Sequence, residues 1–253
     1  MSRGQFGGIC RAAKSGSPVL RLDPSASRAS QPAQPSAPVV RRIGQSGHRT
    51  PRSLCSVPRG SQPGRSVSGL GDADEVPEVH SRDTVYDGAI WNVVRERFDY
   101  GDTELIRDFV DHPGASAIVA LDDDDNVVLL RQYRHPVRSR NWELPAGLLD
   151  MPGEDPAEAA HRELAEEASM RADRMDHMVT LNVSPGGSNE VIHLFLARGL
   201  HPVESDFVRT GEEADMEVHW VPLKDAVSAC LEGKIANQIA VTGLLIADAW
   251  PGR

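Results

Sequence analysis

The chain has 253 residues, 40% of them hydrophobic, and a formal net charge of −10. That length holds one large or two modest domains with a real core, and no run approaches the roughly 20 apolar residues of a membrane helix. Cys10, Cys55 and Cys230 are widely spaced and form no Cys-x-x-Cys pair, so neither a disulfide framework nor a thiolate zinc site is indicated, and a reducing, cytoplasmic setting is expected.

The charge is unevenly placed. Residues 1–70 hold ten Arg and one Lys against Asp23, a net +10, which leaves −20 on the rest of the chain. Residues 1–78 are rich in Ser, Pro, Gly and Arg, show no lasting apolar period, and read as a disordered basic arm that cannot offset its ordering entropy. An Arg-rich transit segment, a basic arm for nucleic acid and sequence upstream of a misplaced start are the competing readings. Phe6 is the one aromatic there, so little is available to stack on bases and a nucleic-acid partner is disfavoured.

Residues 79–113 are expected to form N-terminal antiparallel strands. Residues 84–98 are rich in β-branched and aromatic side chains with a bend at Gly88, and after a turn at residues 100–102 a second strand covers 104–110. Two strands cannot stand alone. They must pack on the main body or on a second subunit.

The main body is expected over residues 114–253. Strands at 116–121 and 126–133 flank four consecutive aspartates, residues 122–125, which read as a solvated turn because the glycine and distal glutamate of a calcium loop are missing. Arg131, Arg134, Arg138 and Arg140 then precede Trp142-Glu143-Leu144-Pro145-Ala146-Gly147. Such a cluster of planar guanidinium groups in an acidic body suits phosphate oxygens.

A helix follows Gly153. Asp155 can cap it, Pro156 suits its first position and Glu158 stands three residues after the cap. Ala157, Ala160, Leu164 and Ala168 recur on its core-facing side. Glu163, Glu166 and Glu167 fall at i, i+3 and i+4, so three like charges crowd one patch, at a cost of a few tenths of a kcal/mol per pair that a divalent cation would offset. Arg162 is four residues from Glu158 and from Glu166 and can pair with either. Strands at 178–183 and 191–197 enclose residues 184–190, whose glycines suit either close approach to a ligand or a plain hairpin loop. A last strand at 217–222 and helices at 223–231 and 235–250 close the chain. The histidines show no ligand spacing, which disfavours zinc.

Glu154, seven residues, then Arg162-Glu163-Leu164-Ala165-Glu166-Glu167 resembles the signature of the Nudix hydrolases, which cleave nucleoside diphosphates linked to another moiety. Two departures stand out: six residues rather than five separate Gly147 from Glu154, and Ser169 replaces the final glycine. Residues 110–115, Arg131-Gln132-Tyr133-Arg134, residues 142–147, Ser184-Pro185-Gly186 and residues 212–216 are together similar to the ADP-ribose pyrophosphatase branch. Pro185, fifteen residues after Met170, matches that branch's marker. The similarity spans residues 82–248.

The resemblance implies an α/β/α sandwich with a mixed sheet, preceded by a small antiparallel N-terminal sheet exchanged within a homodimer. It implies magnesium, with manganese equivalent, held by Glu163, Glu167, Glu166 and the Ala146 carbonyl. It also implies hydrolysis of ADP-ribose, or a related ADP-sugar, to AMP and ribose 5-phosphate. By the same resemblance the base is Glu213, with Glu212 as competitor. Arg134, backed by Arg131, binds phosphate, and Glu190 and Trp91 contact substrate, although Trp91 also reads as a buried structural residue. Gly147, Glu154, Arg162 and Pro185 serve the motif's structure. A non-catalytic sensor of ADP-ribose is the alternative, and the full carboxylate set argues against it.

Overall fold

The structure, a computed structural model, describes residues 69–204 and 207–251. Most of the arm expected at residues 1–78 therefore lies outside the described residues. Three strands, β1 (Val79–Tyr86), β2 (Asn92–Tyr100) and β3 (Thr103–Asp111), form an antiparallel meander. The sequence reading gave two; the first divides at the bend around Gly88. The loop folds back so tightly that a Cβ at Gly88 would sit 2.2 Å from the Trp91 carbonyl oxygen. Cross-strand ion pairs hold the meander, with Arg95 forking onto Asp108 at 2.7 Å and Arg82 bonding to Glu96 and, at 2.6 Å, to Asp111. Several of its apolar residues are poorly covered: Val94 is buried, but Val85, Tyr86, Ile90, Tyr100 and Ile106 are exposed.

The body contains two further sheets. One runs β7 (Ala146–Leu148), β4 (Ala115–Ala120), β9 (Val191–Pro202), β8 (Met170–Asn182), with β4 and β9 parallel; the other runs β10 (Glu217–Pro222), β5 (Asn126–Arg134), β6 (Ser139–Glu143). The helices are α1 (Pro156–Ala168), α2 (Leu223–Leu231) and α3 (Gln238–Ala249). Every residue of β4 is buried, as a strand covered on both faces requires. Its alternate residues serve two cores. Ala117, Val119 and Leu121 pack with Leu223, Ala226, Leu244 and Ala247 of α2 and α3, whereas Ile118 and Ala120 pack with Ala160, Leu164 and Ala168 of α1. This is the α/β/α sandwich with a mixed sheet that the sequence led us to expect. No helix among the described residues is long and apolar enough to cross a membrane.

The loop at residues 184–190 has a structural task. Val110 donates to the Gly187 carbonyl at 2.9 Å and Asn189 N–H donates to the Val110 carbonyl at 3.1 Å. The Asn189 side chain accepts from His112 N–H and donates to Asp111. The loop thus fastens the end of β3 to the body, with the oxygen and the nitrogen of one asparagine amide each making a bond to it.

At the start of α1 the Asp155 carboxylate accepts the Ala157 N–H at 2.8 Å. At its end Ser169 takes φ 54°, ψ 40°, a left-handed cap whose N–H returns to Ala165. A side chain here opposes the backbone. Ser169→Gly is therefore expected to raise stability by about 0.5–1 kcal/mol in thermal or urea unfolding. The meander carries a pH signature as well. The Arg82 guanidinium, with Asn189, holds the Asp111 carboxyl below its usual range against the opposing effect of burial. A depressed carboxyl contributes stability above its unfolded pKa of about 4 and loses it as pH falls further. The stability difference between wild type and Arg82→Ala should be constant above about pH 5 and shrink below pH 4.

Candidate active site

Helix α1 buries a row of acids beside its apolar stripe. Glu163 and Glu167 each precede a core residue, Leu164 and Ala168, and are only 8% and 7% exposed. Strand β7 faces them. A Cβ on Gly147 would fall 1.9 Å from the Glu163 carboxyl carbon, so this glycine is the space in which that side chain lies. The neighbouring Ala146 N–H donates to Glu167 at 2.8 Å.

Arg162 organises the row from its edge. Its guanidinium forks onto Glu154 through two 2.9 Å bonds, bonds to Glu163, and lies 3.6 Å from Glu166. It thus pairs with the loop glutamate and its helix neighbours instead of Glu158. Burial pushes the Glu163 carboxyl up, with Arg162 opposing. Burial pushes Glu167 up to about 8; the Ala146 N–H opposes this, and nearby Glu163 and Glu213 add to it. Two neighbouring carboxyls this dry are costly to hold charged together, a cost that a proton or a bound cation relieves.

These acids form one wall of a cavity of about 510 Å³. Arg134, Glu190, Trp91 and Glu213 line it too, together with Arg162, Glu166, Ala146 and Gly147. Trp91 is 43% exposed rather than buried, and its ring lies 5.7 Å from that of His112. His112 approaches Glu190 at 3.9 Å and accepts the Gly114 N–H on Nδ1. Glu213 ends a short 3-10 turn, Gly211–Glu213. Arg209 tethers that segment by donating to the Glu167 carbonyl at 2.6 Å and the Met216 carbonyl at 3.3 Å.

Two residues expected at the site, Arg131 and Glu212, fall outside the cavity lining, as do Pro185 and Glu154, which were expected only to serve the motif's structure. Arg131 does not line the cavity: its guanidinium lies 5.6 Å over the Trp142 ring and 4.0 Å from Glu217. It stands three residues from Arg134 on one strand, and odd separations put side chains on opposite faces. Glu212 is also absent from the lining, although its charge is felt by Arg134. Pro185 borders a separate groove against the meander, and Glu154 acts through Arg162. The sequence reading missed His112, Glu143, Asp150 and Asn237, all of which reach the cavity. Glu143 and His112 stood inside motifs shared with the family and Asp150 inside the Gly147–Glu154 loop, which was the available signal; Asn237 is brought in by tertiary folding alone.

The NUDIX domain family model matches residues 111–240. The chain belongs to the Nudix hydrolase family. It is 42% identical over 173 residues to an ADP-ribose pyrophosphatase of Mycobacterium tuberculosis (strain ATCC 25618 / H37Rv), covering 68% of this chain and 83% of that protein. It is 40% identical to a methanol dehydrogenase activator of Bacillus methanolicus, covering 56% and 78%. A crystal structure of an ADP compounds hydrolase superposes with TM-score 0.59 at 21% identity, covering 71% of this chain and 96% of that one, a likeness of fold.

The Nudix acids suit a hard divalent cation. Glu163, Glu166 and Glu167 offer oxygen donors, and the two buried ones have less positive charge around them than their burial demands. Among the described residues no three such side chains are already gathered into a metal site: Glu163 is turned to Arg162 and Glu167 to the Ala146 N–H. Because Gly147 makes room for Glu163, Gly147→Ala must displace that carboxylate. Since an ångström of misplacement can cost about 100-fold, the variant should lose 10- to 100-fold in kcat for diphosphate hydrolysis while its melting temperature falls little.

Proposed function

We propose that this protein hydrolyses the diphosphate of ADP-ribose, or of a related ADP-sugar, to AMP and ribose 5-phosphate, using magnesium or the equivalent manganese. The observation that carries the reading is the meeting, in one cavity, of the buried pair Glu163 and Glu167, a guanidinium at Arg134 and a carboxylate at Glu213. The relative from M. tuberculosis named for this substrate supports the choice of sugar nucleotide. Glu163, Glu166 and Glu167, with the Ala146 carbonyl, would hold the cation. Bound there, it supplies charge neutralisation and acidifies water.

The chain's own groups account for the remainder. Arg134 draws the diphosphate oxygens to one wall. Glu213 accepts a proton from the attacking water, whose oxygen bonds to phosphorus as the bridging P–O bond breaks. Trp91, beside His112, offers a ring face to the base, and Glu190 accepts hydrogen bonds from hydroxyl groups. A second copy of the chain would cover the apolar meander, residues 79–113, making a homodimer, and the arm at 1–78 would be a tail that catalysis does not need. Arg131 contributes at a distance if it contributes at all, since its side chain is committed to Trp142.

With ADP-ribose and magnesium the protein should release AMP, and chelation with EDTA should abolish this. Binding without any turnover would instead identify a sensor. Glu213→Gln is expected to lose at least about 100-fold in kcat, the usual contribution of a general base, whereas Glu212→Gln should stay within about threefold. The reverse order would exchange their roles.

A further inference from the structure

We propose that Glu143 is a positioning residue for phosphate binding: it holds the Arg134 guanidinium side-on so that Nη1 faces the cavity. The inference rests on the hydrolase reading above and adds to it a residue that acts through Arg134. Glu143 ends β6 and is 5% exposed. The pairing of β6 with β5 sets Glu143 opposite Leu130 and Ser139 opposite Arg134. Leu130, Gln132 and Arg134 alternate onto one strand face, so Glu143 and Arg134 share a face at opposite ends of the paired stretch.

An arginine at the end of β5 has no packing reason to turn back along its own strand, and nearly half of its side chain remains exposed. Glu143 supplies the reason. Arg134 Nε lies 3.1 and 3.2 Å from the two carboxylate oxygens and Nη2 lies 2.7 Å from Oε2. This spends one edge of the fork, and Nη1 has no protein partner among the described residues. Such a two-point grip fixes the guanidinium plane, which a single bond to a point charge does not. Both Glu143 oxygens are engaged by Arg134, so the role assigned to it is exerted through that guanidinium.

The same geometry explains a buried acid at the rim of a cavity already crowded with acids. Its charge is matched by Arg134, and Arg134 in turn lies within electrostatic reach of Glu167 and Glu212. The phosphate-binding group is thereby tied to β6, within reach of the charge of Glu167. Its free edge is the one a diphosphate oxygen can reach.

A double-mutant cycle tests this. Wild type, Glu143→Gln, Arg134→Ala and the double variant would be compared in ADP-ribose hydrolysis and, separately, in equilibrium binding of ADP. Loss of one charge-assisted contact predicts that Glu143→Gln raises KM for ADP-ribose and Kd for ADP by about tenfold, with kcat within about threefold and the melting temperature within a few degrees. The double variant should be no worse than Arg134→Ala alone within about twofold, because the two residues act as one unit. Additive losses, a fall in kcat at constant KM, or wild-type binding by Glu143→Gln would each overturn the proposal. Should Glu143→Gln not fold, Glu143→Asp, which withdraws the carboxylate by one methylene, carries the same cycle. A wild-type protein that binds ADP-ribose without cleaving it refutes the hydrolase reading while the ADP cycle still decides this one; a protein that binds neither refutes both.

Discussion

Placing two glutamates in the packed interface between α1 and the sheet is the constraint on which the site depends. Each buried charge carries a penalty of several kcal/mol unless it is compensated, and Glu163 and Glu167 stand one helical turn apart on the same side. Three separate features make the arrangement possible. Gly147 leaves the volume in which the Glu163 carboxylate lies, the Ala146 N–H satisfies one oxygen of Glu167, and Arg162 brings positive charge to the edge. Arg162 needs an anchor of its own, which Glu154 supplies through two bonds. The loop before α1 therefore tunes the helix as well as leading into it.

That dependence accounts for how the surrounding loops are fixed. The stretch from Gly147 to Glu154 carries one residue more than the usual Nudix spacing, yet it closes without disturbing the acids. Leu149 donates to the Gly114 carbonyl at 3.1 Å, Glu154 donates to the Met151 carbonyl, and Gly153 takes φ +79°. The extra residue is absorbed in a turn, and Asp150 reaches the cavity from it. On the opposite side, Arg209 ties the segment bearing Glu213 to the carbonyl of Glu167 itself. The segment that brings the candidate base is thus hydrogen-bonded to the helix that brings the candidate metal-binding acids.

Much of this was legible in the sequence wherever a repeat of known period met a fixed spacing. Helix α1 announced its cap, its apolar stripe and its acids, because each follows from a 3.6-residue period. The buried strands were readable as short apolar runs. Strands β6 and β7 were not, since five and three residues are too few for alternation to emerge, and β7 owes its existence to its pairing with β4. The loop at residues 184–190 read equally as a ligand-approaching turn or a plain hairpin loop; in the fold it joins the antiparallel β8 and β9 and clamps the meander through Asn189, a long-range contact that no local pattern encodes. Arg131 and Arg134 looked alike in a cluster, and only strand parity separates them. Glu143 and Asp150, on either side of β7, meet His112 and Asn237 from two distant stretches, and their convergence is a property of topology.

The charge in the cavity has a further consequence for how substrate enters. Glu143, Asp150, Glu163, Glu166, Glu167, Glu190 and Glu213 line it against only two arginines, and both arginines are already engaged, Arg134 by Glu143 and Arg162 by Glu154 and Glu163. A diphosphate arriving alone would meet a surplus of negative charge in a site partly shielded from water, where repulsion is stronger than in bulk solvent. A cation held there would relieve that surplus, and affinity for the anion and for the cation would then be linked, each raising the other by the same factor. The crowded acids of α1, unfavourable for the helix by themselves, are suited to hold such a cation.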